Sequence, residues 1–156
     1  MQTLELSPTH TLLLDDEWAH LLALSPRLVA RTKQGFEPHW YVNVGAIPVH
    51  RLIMGVEGIP ATAVMVDHID GDGMNNQRGN LRLATPTQNA LNRRKYRNNT
   101  SGVKGVSWSE KEQRFQAYLK VNGRQKKLGR YKELVDAEAA VRAARELHHG
   151  RFANHG

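Results

Sequence analysis

The dipeptide Asn122-Gly123 restricts the fold of this chain more than any other feature. It lies between two runs of alternating residues, 114–121 and 124–131, and Asn-Gly in that setting makes a two-residue type I′ turn. The runs must therefore fold back on each other as a β-hairpin. A two-residue turn also sets the register: Lys120 faces Gln125, Tyr118 faces Lys127, and Ala117 faces Leu128. Phe115, Ala117, Leu119 and Val121 then share one face, and Arg114, Gln116, Tyr118 and Lys120 share the other. A strand-like run precedes the hairpin, and a helix is predicted over 136–148. Its Ala137, Ala140, Val141 and Ala144 repeat at helical spacing and are small enough to sit close on the apolar face. The basic face is left open, and a narrow sheet of this kind fits a DNA major groove.

Charge points the same way. The 156 residues carry a net charge of +7, yet thirteen Lys or Arg and only two acids fall between Arg93 and Lys132. The basicity belongs to that one segment, which is the footprint of a nucleic-acid-binding surface. The run Arg93-Arg94-Lys95-Tyr96-Arg97-Asn98-Asn99-Thr100-Ser101-Gly102 reads as a polar linker entering it, with Arg93, Arg94 and Lys95 as phosphate contacts. No cysteine is present, so disulfides and thiolate zinc sites are excluded, and a metal would be held by Asp, Asn, His or Glu. No segment approaches the roughly 20 apolar residues of a membrane span, and the N-terminus lacks a secretory pattern. A soluble, cytoplasmic protein is expected.

Before the linker, residues 11–14 and 39–44 read as strands and 49–54 as a short helix stopped by Gly55. Asp15-Asp16-Glu17 reads as a helix start, with Trp18, Leu21, Leu22 and Leu24 on its apolar face. The stretch 63–94 is dense in coordinating side chains. Residues 64–69 can form a strand, 70–73 a turn and 81–83 a second strand. Thr85 then serves as helix N-cap, Pro86 opens the helix and Gln88 completes a capping box, which places Asn89 in the first turn.

Phosphodiester hydrolysis needs a base to activate water and a way to stabilise charge on the phosphate. A positioned His contributes about 10²–10⁴-fold, roughly 3–5 kcal/mol. Enzymes supply at least about 8 kcal/mol, so a metal is a reasonable second contribution. Asp67 and the Asn89 carboxamide are hard oxygen donors suited to one divalent cation, Mg²⁺ or Mn²⁺. His68 adjoins Asp67, and neighbours on a strand face opposite sides. The strand must end or bend there, or one residue must act through its backbone. Asp70 and Asp72, with glycine neighbours, read as turn formers rather than ligands. Arg78 and Arg82 are candidate phosphate contacts, and His50 is the one other histidine held in reserve.

Asp67-His68, Asn80-Leu81-Arg82 and Gln88-Asn89 resemble the HNH (ββα-metal) motif of phage and intron homing endonucleases, and His50-Arg51-Leu52-Ile53-Met54 resembles the segment preceding it. The resemblance implies that His68 is the general base and that Asp67 and Asn89 hold the cation. It also implies that Asn80 orients His68 and pins the loop. Gly-Val-Ser-Trp and Leu-Gly-Arg-Tyr in the basic region are similar to the ethylene-response-factor type of DNA-binding domain. That likeness implies that Trp108, Arg114, Gln116, Tyr118, Lys120 and Lys127 lie at double-stranded DNA.

The expected protein is α+β: an HNH nuclease domain over 1–94 with its ββα-metal core at 63–94, a linker at 95–102, and a three-stranded antiparallel sheet packed on one helix over 103–156. It is expected to cut or nick DNA as a monomer. The alternatives are a non-catalytic DNA-binding regulator that uses the HNH-like unit as scaffold, and an RNA binder that stacks bases on Tyr118.

Overall fold

A computed structural model describes residues 1–31, 38–92, 95 and 98–156. Arg93 and Arg94 lie outside the described residues. The chain divides into two compact units, Met1–Asn89 and Ala90–Gly156.

The first unit opens with an antiparallel hairpin of β1 (Gln2–Ser7) and β2 (His10–Leu14). Neither β1 nor the later strand β3 (Arg27–Arg31) was expected from the sequence. In β2, Leu12 and Leu14 alternate with polar or half-buried neighbours and are fully buried, as a strand with one face on a core requires. The segment Asp16–Leu24 coils, but as a 3₁₀ helix rather than an α-helix. Leu21 is buried, and Trp18 and Leu22 pack beside it, whereas Leu24 is 53% exposed and leaves the predicted apolar face. Ser25, directly after Leu24, ends this 3₁₀ helix in a left-handed conformation.

β3, β4 (His39–Val44) and β5 (Ile47–Pro48) form an antiparallel sheet in that order. α1 (Val49–Ile53) follows and closes with a Schellman motif: Val56 N–H donates to Arg51 O at 3.0 Å, Gly55 N–H donates to Leu52 O at 3.0 Å, and Gly55 has φ +63°. Arg51 is buried, and its guanidinium donates to the carbonyls of Val56, Ile59 and Val64, closing the connection to the next strand. β6 (Met65–His68) pairs antiparallel with β7 (Leu81–Ala84), and α2 (Pro86–Leu91) comes next. The capping box is present, with Thr85 N–H donating to Gln88 Oε1 at 2.9 Å and Gln88 N–H to Thr85 Oγ1 at 3.2 Å. Leu12, Leu14, Leu21, Val42, Val49, Ile53, Val66, Met74 and Leu81 share one core.

The second unit is the antiparallel sheet β8 (Val106–Ser109), β9 (Arg114–Val121) and β10 (Arg124–Tyr131), with α3 (Leu134–His149) on one face. Asn122 and Gly123 have φ +50° and +77°, as a type I′ turn demands. Lys120 pairs with Gln125 and Tyr118 with Lys127, but Ala117 pairs with Gly129 and not Leu128. A bulge between Lys127 and Gly129 inserts one residue and shifts the register beyond it. Leu128 packs with the core of Val106, Ala117, Ala137 and Val141. Among the described residues no helix is long and apolar enough to cross a membrane.

Candidate active site

His68 is the last residue of β6, paired across the ribbon with Leu81, while Asp67 pairs with Arg82. The strand therefore ends at the second of the two residues. Both are buried, each 5% exposed. Directly opposed residues of an antiparallel pair share a face. Arg82 thus reaches Asp67, its Nε donating to Oδ2 at 2.7 Å and its Nη2 standing 2.6 Å from the same oxygen. The sequence offered Arg82 to phosphate; the structure gives its guanidinium to Asp67.

Across the ribbon, the His68 ring meets three side chains from separate elements. His50, in the first turn of α1, packs edge-on, with ring centroids 5.1 Å apart and planes at 80°. Tyr41 of β4 lies 6.0 Å from the His68 ring and 5.6 Å from that of His50. Asn76 places its Oδ1 3.5 Å from His68 Nε2 and is itself wholly buried. Burial lowers the pKa of His68, against smaller opposing contributions from Asn76 and the nearby aspartates. Burial also pushes His50 down, to about 3, with His68, Arg51 and Arg31 adding to the effect. Burial thus favours the neutral form of both imidazoles. Burial raises the Tyr41 phenol and keeps it protonated.

The loop between β6 and β7 is built from side-chain to backbone bonds. Asp70 Oδ1 accepts from Asp72 N–H at 2.8 Å, and Asp72 Oδ1 accepts from Met74 N–H at 2.9 Å. These are the turn contacts that Asp and Asn make with their own backbone two residues on. Burial raises the Asp70 pKa, but the hydrogen bonds from Asp72, Asn80 and Asn75 outweigh it and hold the carboxyl below its usual range. Asn80 ties the loop ends together: its amide donates to Asp70 Oδ1 at 3.0 Å and to Asn75 O at 2.8 Å, and its Oδ1 accepts from Asp70 N–H at 3.2 Å. The residue against the His68 ring is Asn76, which the sequence did not single out. Asn75 and Asn76 are adjacent and alike in type, and nothing local separates the buried one from its neighbour.

Residues 1–60 hold this loop in place. Leu13 N–H donates to Met74 O at 3.0 Å, and Asn76 N–H to Leu13 O at 2.9 Å, so the loop adds to the edge of β2. Asp15 accepts from Arg78 N–H at 2.7 Å and from Gln77 Nε2 at 3.3 Å, while the Arg78 side chain is exposed. Asn89 lies half-buried in α2, its N–H donating to Thr85 O. Among the described residues no three His, Cys, Asp or Glu side chains cluster as a metal site.

In the second unit, cross-strand pairing puts Arg114, Gln116, Tyr118, Lys120 and Lys127 on the sheet face away from α3. Arg130, opposite Gln116, joins them. Glu112 ties part of that face together, accepting from Gln116 Nε2 at 2.9 Å and pairing with Arg130 at 2.9 Å, and the Tyr118 hydroxyl donates to Gln116 Oε1. Trp108 does not share this face. It pairs with Phe115, ring centroids 4.7 Å apart, and Phe115 packs with the core that α3 covers. Lys95 is exposed and donates to Gly102 O at 3.0 Å.

A family model described as HNH endonuclease matches residues 47–91, from β5 through α2. Protein 3.8 of Escherichia phage T7 is 38% identical over 88 residues, covering 56% of this chain and 72% of that protein. Uncharacterized HNH endonuclease L560 of Acanthamoeba polyphaga mimivirus is 37% identical over 83 residues, covering 52% of this chain and 42% of the viral protein. No solved structure matches.

Proposed function

The chain belongs to the HNH endonuclease family, and from that premise we propose that it hydrolyses phosphodiester bonds in double-stranded DNA with His68 as general base. The observation that carries this reading is the setting of His68: a buried imidazole braced by His50, Tyr41 and Asn76. A base must be unprotonated and held in place; burial of His68 favours the first and its packing the second. It takes one proton from the attacking water as the water oxygen bonds to phosphorus and the bond to the leaving oxygen breaks. Asn80 keeps the loop beside His68 closed.

The donor chemistry fits one Mg²⁺ or Mn²⁺ held by Asp67 and Asn89. Both offer hard oxygens, and a small cation that keeps several waters needs only one or two protein ligands. Arg82 fixes the orientation of the Asp67 carboxylate, as outer partners of ligating carboxylates do. When bound, the cation would stabilise the charge that builds on the phosphate and leaving oxygen.

The basic sheet face of the second unit is the proposed docking surface, with Arg114, Gln116, Tyr118, Lys120, Lys127 and Arg130 at the duplex. Arg78, Arg93, Arg94 and Lys95 serve as phosphate contacts, and Trp108 packs against Phe115 on the opposite face of the sheet from the docking residues. One site per chain makes a nick the expected product of a monomer, of the kind a homing or nicking enzyme produces. Phage and giant-virus relatives support the cytoplasm of an infected host as the place of action.

Nicking of supercoiled plasmid and phage genomic DNA, with Mg²⁺, Mn²⁺ or chelator, tests the reading. Metal-dependent nicking that falls at least about 10²-fold in His68→Ala, with duplex affinity retained, is the expected result. Nicking that survives the substitution would place the chemistry elsewhere. Duplex binding with no cleavage of either DNA would leave a DNA-binding protein without nuclease activity.

A further inference from the structure

We propose that Asn76 is a positioning residue that holds His68 as the Nε2–H tautomer, so that Nδ1 is the nitrogen that takes the proton. The inference rests on His68 being the base. It follows from the hydrogen-bonding inventory of one buried amide. Asn76 Nδ2 donates to Gly73 O at 3.0 Å and to Met74 O at 3.2 Å. Carbonyls only accept, so the NH₂ group must face them, and a flipped amide would set oxygen against oxygen. Oδ1 is thereby directed at His68 Nε2, 3.5 Å away. An amide oxygen cannot donate, so the ring nitrogen facing it carries the hydrogen. In a neutral imidazole the other nitrogen, Nδ1, then has the basic lone pair.

Two independent anchors keep Asn76 in place. Its backbone is fastened to β2 through Leu13 O. Gly73, whose carbonyl holds the amide, lies so close to β4 that an added Cβ would stand 2.0 Å from Trp40 O. The Asn80 amide, by contrast, is committed to Asp70 and Asn75. The long Nε2–Oδ1 contact also suits catalysis. When Nδ1 accepts the proton, the Nε2–H···Oδ1 bond becomes charge-assisted and stronger. Asn76 then stabilises the ring more during proton transfer than at rest, which is what accelerates a step.

The test is ¹⁵N NMR of histidine-labelled full chain in chelator, with His68 signals assigned by their loss in His68→Gln. The expected result is a protonated Nε2 and an unprotonated Nδ1 in the wild type, and a shift toward Nδ1–H in Asn76→Leu. Asn76→Asp keeps an acceptor oxygen and is expected to keep the Nε2–H form. In nicking assays Asn76→Leu should lower kcat about 10–100-fold with KM little changed, and Asn76→Asp should recover part of the loss. A wild-type His68 resting as Nδ1–H, or a tautomer ratio unmoved by Asn76→Leu, would overturn the proposal. If Asn76→Leu does not fold, the wild-type and Asn76→Asp tautomers decide. Loss of the function reading looks different, since nicking would then be independent of His68 whatever the tautomer.

Discussion

Arg82 and Asp67 are 11% and 6% exposed and face each other across the β6–β7 ribbon. Removing one partner of a buried pair leaves an uncompensated charge and costs about 3–5 kcal/mol. Arg82→Met is therefore expected to lose stability of that order in urea unfolding; an unchanged midpoint would mean that water reaches the carboxylate. His50 supplies a pH dependence. Its folded pKa is about 3 against an ordinary value of 6.5, chiefly because it is buried. Above pH 6.5 the folded and unfolded chains both hold it neutral. As pH falls from 6.5 toward 3 the unfolded chain binds the proton first, so stability rises with pH across that window and is lost on acidification. His50→Phe should flatten that part of the stability curve, and urea midpoints of both proteins at pH 7 and pH 4.5 would measure it.

At the level of elements, the loop between β6 and β7 is positioned by the N-terminal hairpin as well as by its own strands. Asp15 and Leu13 bond to it from outside the motif, and the Trp40 backbone lies close against Gly73. Gly73 is the point of closest approach: a methyl group there must displace the β4 backbone, not a flexible side chain. Overpacking of this kind costs about 1–3 kcal/mol. Gly73→Ala should show that loss in thermal unfolding together with a drop in nicking, because the residue that moves carries the carbonyl bonded to Asn76. Full stability in the alanine variant would show that the loop relaxes freely. The hairpin of β9 and β10 is governed differently, by a local turn with positive φ at Asn122 and Gly123.

Over the whole molecule, charge is divided between the units. The catalytic candidates lie in the first, while the basic excess between Arg93 and Lys132 belongs to the second. Phosphate contacts release counterions, and each contributes about 0.9 to the slope of log affinity against log salt. Replacing Lys120 and Lys127 with Gln should weaken duplex binding and reduce that slope by about 1.8 if both meet phosphate. Titrations at several salt concentrations would measure it, and an unchanged slope would remove this face from docking.

Several features of the fold were legible because their causes are local. The Asn122-Gly123 turn, the Thr85–Gln88 capping box and the stop at Gly55 depend on dihedrals and bonds among residues a few positions apart. The apolar stripe of α3 and the division of charge were equally readable, since periodicity and composition are properties of the string. Three things required the tertiary structure. The bulge at Leu128 moved the register because a side chain had a core to enter. Arg82 turned to Asp67 because strand pairing opposed them inside a low-dielectric interior. Asn76, His50 and Tyr41 met around His68 because a loop, a helix and a strand converge there. Contacts between residues far apart along the chain are decided by packing, and packing leaves no mark at the positions it brings together.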